Sequence, residues 1–274
     1  MRSLLLLNGS PRGERSNSMK MLSRVAEGWK QGGGQAPEIL HLARQAGFDR
    51  AVEAFAGADV AMLGMPLYTD AMPALVKAYV EALGPRVEAA RAGGKNPTLA
   101  FLVQSGFPEA LHSRPLERYL GKLARQLGSK YAGTIVHGGG ESLQMMPDEA
   151  NRKLWAQLRT LGEQLVRDGR FGEPELKAIA GVERLPPPAA AVARLAFKLP
   201  IAQFYWTGKL KKNGAWERRF AAPHGRLMRK FLNAHGGKWP TRKQDEGASG
   251  YVDENKETAF PSMGSALRPR NRDS

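Results

Sequence analysis

The first 170 residues alternate short apolar runs with longer amphipathic stretches, and this alternation constrains the fold more than any other feature of the sequence. Each run is apolar almost without interruption, as in strands that are buried on both faces of a parallel sheet. The runs cover residues 3–7, 38–42, 60–65, 98–103 and 131–136. Strand–helix alternation repeated five times predicts a doubly wound α/β sheet.

The stretches between the runs carry apolar stripes at helical spacing. Four stripes predict four helices: Met21, Leu22, Val25 and Trp29; Leu75, Val76, Tyr79, Val80 and Leu83; Leu116, Tyr119, Leu120, Leu123 and Leu127; and Leu154, Trp155, Leu158, Leu161 and Leu165.

The pattern changes after Gly169, and three consecutive prolines at 186–188 interrupt it. We therefore predict three segments. Residues 1–170 form the sheet domain, residues 171–243 form a basic extension or arm that contains aromatic residues, and residues 244–274 form a polar tail. The tail has too little apolar content to fold alone.

Charge and cysteine content exclude several classes of protein. The net charge of the 274-residue chain is +15, of which residues 186–274 contribute +10. Because cysteine is absent, disulfides, thiolate zinc sites, cysteine-ligated iron–sulfur clusters and cysteine nucleophiles are excluded. No apolar run approaches the length of a membrane span, so we expect a cytoplasmic protein.

Three partners compete for residues 186–274. This segment is expected first to be an arm that wraps a second copy of the chain and helps to wall the active site, because Phe204, Tyr205, Trp206 and Trp216 supply contact area. A peripheral contact with an anionic membrane ranks second, and nucleic acid ranks third. A solvated charged tail is the alternative to all three.

The loop after the first run carries an anion-binding pattern. Residues 8–18 read Asn-Gly-Ser-Pro-Arg-Gly-Glu-Arg-Ser-Asn-Ser and open the first helix. Hydroxyl groups, guanidinium groups and the free N–H groups of a helix N-terminus favour a phosphate there. The loop matches neither a Walker A motif nor G-x-G-x-x-G, which disfavours an NTPase and a Rossmann dinucleotide site. Alternatively, Ser16 or Asn17 only caps the helix.

Two further loops follow the third and fourth runs at the same predicted sheet edge, where open α/β sheets bind ligands. In residues 64–73, Tyr68 suits a planar ring, although a packed crossover loop would look the same. In residues 104–109, Gly106 permits close backbone approach and Phe107 offers an apolar wall. A fourth loop, 137–141, contains His137, three glycines and Glu141. Its glycines either let the backbone approach a ligand or form a flexible turn, and we favour the turn. His137 with Glu141 suggests acid–base work, but a structural role for the histidine is favoured.

Together these loops resemble the superfamily of NADPH-dependent FMN reductases and flavodoxin-like quinone reductases. The resemblance covers about residues 1–168. It rests on Asn8-Gly9-Ser10-Pro11-Arg12, Ser16-Asn17-Ser18, Pro66-Leu67-Tyr68 with Pro73 and Lys77, and Gln104-Ser105-Gly106-Phe107. The iron–sulfur flavoproteins of this superfamily need cysteines and are excluded.

The resemblance implies a flavodoxin-like five-stranded parallel sheet in the order 2-1-3-4-5 that binds FMN at the carboxyl ends of its strands. By resemblance, the phosphate is held by Ser10, Arg12, Ser16, Asn17 and Ser18. The isoalloxazine is bordered by Pro66, Leu67, Tyr68 and Thr69, and its pyrimidine side by Ser105, Gly106 and Phe107.

The implied activity is oxidation of NAD(P)H through FMN with reduction of a quinone, a free flavin or a similar small acceptor. A homo-oligomer, either a dimer or a tetramer, is expected. The cofactor carries the redox chemistry, so no catalytic residue and no metal ligand is assigned. Two alternatives stay open: a flavodoxin-type electron carrier, which the basic charge disfavours, and a binding module without enzymatic activity.

Overall fold

A five-stranded parallel sheet forms the centre of the protein. The computed structural model describes residues 1–198 and 200–219. The strands are β1 (Leu4–Asn8), β2 (Glu38–His41), β3 (Val60–Pro66), β4 (Thr98–Gln104) and β5 (Tyr131–His137). Their spatial order is β2-β1-β3-β4-β5, and all neighbours are parallel. This topology confirms the predicted flavodoxin-like order and all five predicted strands.

Ten helices accompany the sheet within the described residues. They are α1 (Asn17–Gln31), α2 (Gln45–Ala54), α3 (Ala74–Ala82), α4 (Gly84–Arg91), α5 (Arg114–Gln126), α6 (Ser142–Met145), α7 (Arg152–Asp168), α8 (Glu173–Ala180), α9 (Pro187–Lys198) and α10 (Pro200–Lys212). The four predicted stripes fall on α1, α3, α5 and α7. One member, Tyr119, is 45% exposed rather than buried.

The sheet separates two apolar layers, as its alternating side chains require. Leu4 and Leu6 of β1 pack into a cluster with α1 and α7, whereas Leu5 and Leu7 pack into a cluster with α3 and α5. Both faces of β1 are therefore buried, which explains why its sequence is apolar without alternation.

Helices α1 and α7 pack at very short distance because glycines lie at their crossing. A Cβ atom on Gly28 would overlap the backbone of Arg159, and a Cβ on Gly162 would overlap the carbonyl oxygen of Val25. Side chains on either side of this contact, such as Trp29 and Leu158, are fully buried. The crossing thus fixes the helix whose first turn follows the loop after β1.

Helix α8 and the segment after it cover the sheet at its β5 edge. The N–H of Phe171 donates to the carbonyl oxygen of Ala132 in β5 at 2.9 Å, and Ile179 packs in the core. Residues 181–185 then pair with the turn before α5: the N–H of Ala110 donates to the carbonyl of Val182 at 2.9 Å.

The chain divides into two compact units, Met1–Leu199 and Pro200–Ser274. The predicted limits 1–170, 171–243 and 244–274 stay predictions, since residues 220–274 lie outside the described residues. In the second unit α10 ends in three lysines, and Phe204 is exposed. The side chains of Tyr205 and Trp206 are not among those described. No helix in residues 1–198 and 200–219 is both long and apolar enough to span a bilayer.

Candidate functional site

The loop between β1 and α1 presents the N-terminus of a long helix at the carboxyl edge of the sheet. Ser16 is the N-cap of α1, and its hydroxyl accepts a hydrogen bond from the N–H of Met19 at 3.1 Å. The backbone N–H groups of Asn17 and Ser18 lie in the first turn, where a helix offers them no acceptor. The capping alternative therefore holds for Ser16, and the same turn still offers donors to an anion.

Asn8, the last residue of β1, holds this loop in place through hydrogen bonds of its side chain. It is fully buried, its Oδ1 accepts from the N–H of Ser10 at 3.1 Å, and its Nδ2 donates to the carbonyl of Gly13 at 2.7 Å. The hydroxyl of Ser10 in turn accepts from the N–H of Arg12 at 3.3 Å. The loop is thus held by internal hydrogen bonds, and the guanidinium of Arg12 is left exposed.

One pocket gathers residues from the loops after β1, β3, β4 and β5 at this edge. Two of its lining residues, Gln104 and Glu141, were not among the predicted site residues. Eight predicted residues line it: Ser10, Arg12, Asn17, Pro66, Leu67, Tyr68, Ser105 and Gly106. The structure therefore brings most of the predicted cofactor-binding set together.

The other four predicted residues do not line the pocket. Ser16 is occupied as the N-cap, and the fully buried hydroxyl of Ser18 accepts from Nε2 of Gln104 at 3.5 Å. Thr69 lies at the exposed tip of its turn. The ring of Phe107 is 62% exposed and packs against His112, with ring centroids 4.8 Å apart.

Tyr68 is presented by a strained turn. Tyr68 and Ala71 exchange two backbone hydrogen bonds of 3.0 Å, and the two residues between them, Thr69 and Asp70, have φ of 47° and 61°. Two consecutive left-handed residues make a turn of type I′ geometry, which non-glycine residues rarely adopt and a β-branched threonine least of all. Such strain concentrates at ligand sites, and here it leaves the Tyr68 side chain half-exposed beside the pocket.

The loop after β5 closes the pocket from the other side. The N–H of Gly139 donates to the carbonyl of Phe107 at 2.7 Å, and the N–H of Gly140 donates to that of Ser105 at 2.7 Å. A Cβ on Gly138 would lie 2.8 Å from the Phe107 carbonyl oxygen and would overlap Pro108. The interpretation of this glycine run as a flexible turn misses its main role, which is close packing of two backbones.

A buried acceptor at the pocket has no partner. Asn17 is 3% exposed, its Nδ2 donates to the carbonyl of Gly140 at 2.6 Å, and its Oδ1 is buried without a hydrogen bond. Buried polar atoms in native proteins are nearly always paired. Asn17 thus lines the pocket as a residue, while its Oδ1 is buried beneath the surface and keeps an unused acceptor.

Two histidines lie close to this edge without lining the pocket. The Nδ1–H of His137 donates to the carbonyl of Ile179 at 3.1 Å, and burial lowers the pKa of this imidazole. Burial also lowers the pKa of His41 at the end of β2, although Glu14 acts against this shift. Both rings are thus favoured in the neutral form at neutral pH.

Residues 2–161 match the model of the Flavodoxin_2 family, which is described as a flavodoxin-like fold. Because the match spans more than half of the chain, the protein belongs to this family, in agreement with the resemblance of the loop motifs. No curated protein sequence matches the chain.

Solved structures add three similar proteins. The apo form of an NADH:FMN oxidoreductase is 18% identical, with a TM-score of 0.48 over 69% of this chain and 98% of that one. The FMN-dependent NADH-azoreductase of Bacillus anthracis str. Ames Ancestor is 15% identical, with a TM-score of 0.46 over 61% and 100%. The NAD(P)H:quinone oxidoreductase of Methanothermobacter marburgensis is 18% identical, with a TM-score of 0.44 over 60% and 98%.

Proposed function

We propose that this protein is an FMN-dependent oxidoreductase that takes hydride from NAD(P)H and reduces a small acceptor such as a quinone or a free flavin. One observation carries the proposal. The N-terminus of α1 at Asn17 and the cation Arg12 share a pocket with the strained Tyr68 turn. The lining thus combines groups that bind an anion with apolar and aromatic groups, the two kinds of contact that a phosphorylated flavin requires.

The anion-binding end fits a phosphate monoester. The first-turn N–H groups of α1 and the hydroxyl of Ser10 supply hydrogen bonds, and the helix dipole favours negative charge there. The guanidinium of Arg12 adds a charge-assisted contact.

The apolar end fits a planar ring. Pro66, Leu67 and Tyr68 form one wall at the end of β3. Gly106 forms part of the other wall, and a Cβ placed on it would meet no atom within 4 Å. The side of the pocket at Gly106 is therefore open, and a ring that enters there meets backbone rather than side chains.

When bound, FMN supplies the two-electron chemistry that no side chain can perform. The role of this chain is to hold the phosphate, to orient the ring against the Tyr68 turn and to leave one ring face open to both substrates. Because the two substrates then use the same face in turn, ping-pong kinetics are expected. No residue of the chain is assigned a catalytic role.

We also propose a cellular location, an assembly and partners for this oxidoreductase. The protein acts in the cytoplasm and forms a homo-oligomer through its extension. A contact with anionic membranes is the second candidate for that segment, and nucleic acid is not expected. A flavodoxin-type carrier is the competing function, but carriers that dock on basic partners are acidic, whereas this chain has a net charge of +15.

The test is a titration of the purified protein with FMN, followed by quenching of flavin fluorescence, with riboflavin as the ligand that lacks the phosphate. Arg12→Ala is expected to weaken FMN binding by about 1.5–3 kcal/mol and to leave riboflavin binding unchanged. Arg15→Ala is the matched control, because Arg15 is also exposed in this loop but does not line the pocket.

Absence of FMN binding, or equal affinity of the Arg12 variant and the wild type, would refute the proposal. NAD(P)H oxidation by the FMN-loaded protein then separates the two redox functions. A protein that binds FMN but does not oxidise NAD(P)H is the electron carrier.

A further inference from the structure

We propose that His41 is a positioning residue for the anion loop and that its protonation weakens phosphate binding there. The imidazole lies at the end of β2, outside the pocket. It acts through Asn8, the buried hub that holds the loop after β1. This inference rests on the proposed function only in taking the phosphate of FMN as the ligand of that loop.

The pairing of β1 with β2 places His41 directly beside Asn8. Nδ1 of His41 lies 3.0 Å from Nδ2 of Asn8. The orientation of the Asn8 amide is fixed by two backbone groups, because its Oδ1 accepts from the N–H of Ser10 and its Nδ2 donates to the carbonyl of Gly13. The second Nδ2 hydrogen is therefore the one that faces His41, and Nδ1 of His41 must be the acceptor.

This assignment places the imidazole proton on Nε2. That nitrogen faces the carboxylate of Glu14, at 3.8 Å. Glu14 is also held by the guanidinium of Arg44 at 2.9 Å. The neutral Nε2–H tautomer therefore lets Nδ1 accept from Asn8 and points the ring proton towards the carboxylate of Glu14, which lies beyond hydrogen-bonding distance.

Protonation of His41 removes this arrangement. With a proton on Nδ1, the ring would point a donor at the Nδ2 donor of Asn8. A rotation of the Asn8 amide gives no relief, since it would point a donor at the N–H of Ser10 and leave the carbonyl of Gly13 without its donor. Either response disturbs the loop that presents Ser10 and Arg12 to the phosphate.

Two charges face His41 and oppose each other. Glu14 favours the protonated ring and Arg44 disfavours it, while burial lowers its pKa. The neutral, loop-supporting form is thus the one present at neutral pH, and the disturbed form appears only on the acid side of the usual histidine range. Glu14 pairs with the added positive charge, so this charge does not raise the affinity for phosphate. The disturbed loop geometry therefore determines the net effect of protonation, which is weaker phosphate binding.

Two variants separate the role of His41 as a hydrogen-bond acceptor from the effect of its protonation. In His41→Asn, the side-chain Oδ1 takes the place of Nδ1, so the acceptor stays and the proton site is removed. In His41→Leu, a side chain of similar bulk removes the Nδ1 acceptor, and the second Nδ2 hydrogen of Asn8 keeps only the longer contact with the hydroxyl of Ser16 at 3.4 Å. The Leu variant is expected to bind FMN about tenfold more weakly than the wild type at neutral pH, because a buried donor loses its closer partner.

The decisive experiment measures FMN affinity from pH 8 to pH 5 for the three proteins. The phosphate of FMN itself titrates at about pH 6. His41→Asn shows the effect of this phosphate titration alone, because it lacks the histidine. We expect affinity to fall on acidification more steeply in the wild type than in His41→Asn. Identical pH profiles of the two proteins, or a Leu variant that binds as tightly as the wild type, would overturn the proposal.

A second readout needs no cofactor. In ¹⁵N-labelled protein, the side-chain amide of Asn8 and the backbone amides of Ser10 and Gly13 should titrate together with His41, and should not titrate in His41→Asn. If none of the three proteins binds FMN, the proposed function fails, but this titration still tests the role of His41. Amide chemical shifts that do not change when His41 titrates would refute the role of His41, whether or not FMN binds.

Discussion

Gly162 lies where α7 crosses α1, and its replacement by alanine tests whether this crossing holds the helix that begins at the anion loop. The added Cβ would overlap the carbonyl oxygen of Val25 and lie 2.7 Å from the backbone nitrogen of Trp29. Because both are backbone atoms of the facing helix, no rotamer change relieves the overlap. Helix α7 has to move away from α1, which loosens the buried packing around Trp29 and Leu158.

The expected loss of stability combines two opposing effects. Overpacking of a core costs about 1–3 kcal/mol, and a backbone overlap lies at the upper end of that range. Alanine gains about 1 kcal/mol over glycine in a helix interior. The net result is a loss of about 2 kcal/mol, which corresponds to a decrease of about 4–8 °C in Tm for a protein of this size.

Gly121→Ala is the matched control, because Gly121 is also a buried glycine inside a helix, α5. A Cβ there would meet only the ring of Tyr131 at 3.6 Å, an ordinary contact. The helix-propensity gain then stands alone, and the variant should be stabilised by about 0.5–1 kcal/mol. The same substitution is thus expected to have opposite signs at the two positions.

Thermal and urea unfolding followed by far-UV circular dichroism measure both variants. Because α1 carries the anion loop, Gly162→Ala should also weaken FMN binding, whereas Gly121→Ala should not. The reasoning is refuted if Gly162→Ala is as stable as the wild type, or if both variants shift Tm in the same direction.

Three further predictions concern single residues near the site. Ser16→Ala removes the N-cap of α1 and should cost about 1 kcal/mol in urea unfolding; unchanged stability would contradict the capping role. Gly138→Ala should push residues 107–108 away and weaken FMN binding, whereas Gly57→Ala, with no atom within 4 Å of its added Cβ, should leave it unchanged. Burial holds the pKa of His137 below 6.5 in the folded protein, so the unfolded chain binds the extra proton and stability falls as pH decreases from 6.5 towards the folded pKa. Unfolding measured across this range should show a shallower decrease for His137→Gln, and equal slopes would contradict the assignment.

The central strands β1, β3 and β4 could be predicted from sequence because they are buried on both faces, whereas the four residues of β2 are exposed or half-buried. A run such as Leu4–Leu7 can satisfy that burial only as a strand in the middle of a covered sheet, so local composition was sufficient. Helix α2 was missed because its buried side is weak: Ala51 is its one buried residue within Gln45–Ala54, which leaves no stripe to detect. Helix α4, in which none of residues 84–90 is buried, gives even less signal.

The position of the candidate site could be predicted, because the loops after successive parallel strands lie at one edge of the sheet. The features of the site that the sequence did not indicate depend on contacts between residues that are distant in the chain. The roles of Asn8 and His41 arise from the pairing of β1 with β2, and Glu141 reaches the pocket because its loop is tied to residues 105 and 107. Phe107 was expected as a wall, but its carbonyl is bound by Gly139 and its ring packs on His112, which spacing does not encode.

The covering of β5 by α8 has a consequence for how the chain can be shortened. In this sheet order β5 is an edge strand, and an uncovered edge presents unpaired N–H and C=O groups to other chains. A fragment cut at residue 161, where the family match ends, would lose Phe171, Ile179 and the hydrogen bond to Ala132. Such a fragment would expose an apolar edge to strand-to-strand aggregation, whereas a fragment that continues to residue 185 keeps the edge covered and its closing pairs intact.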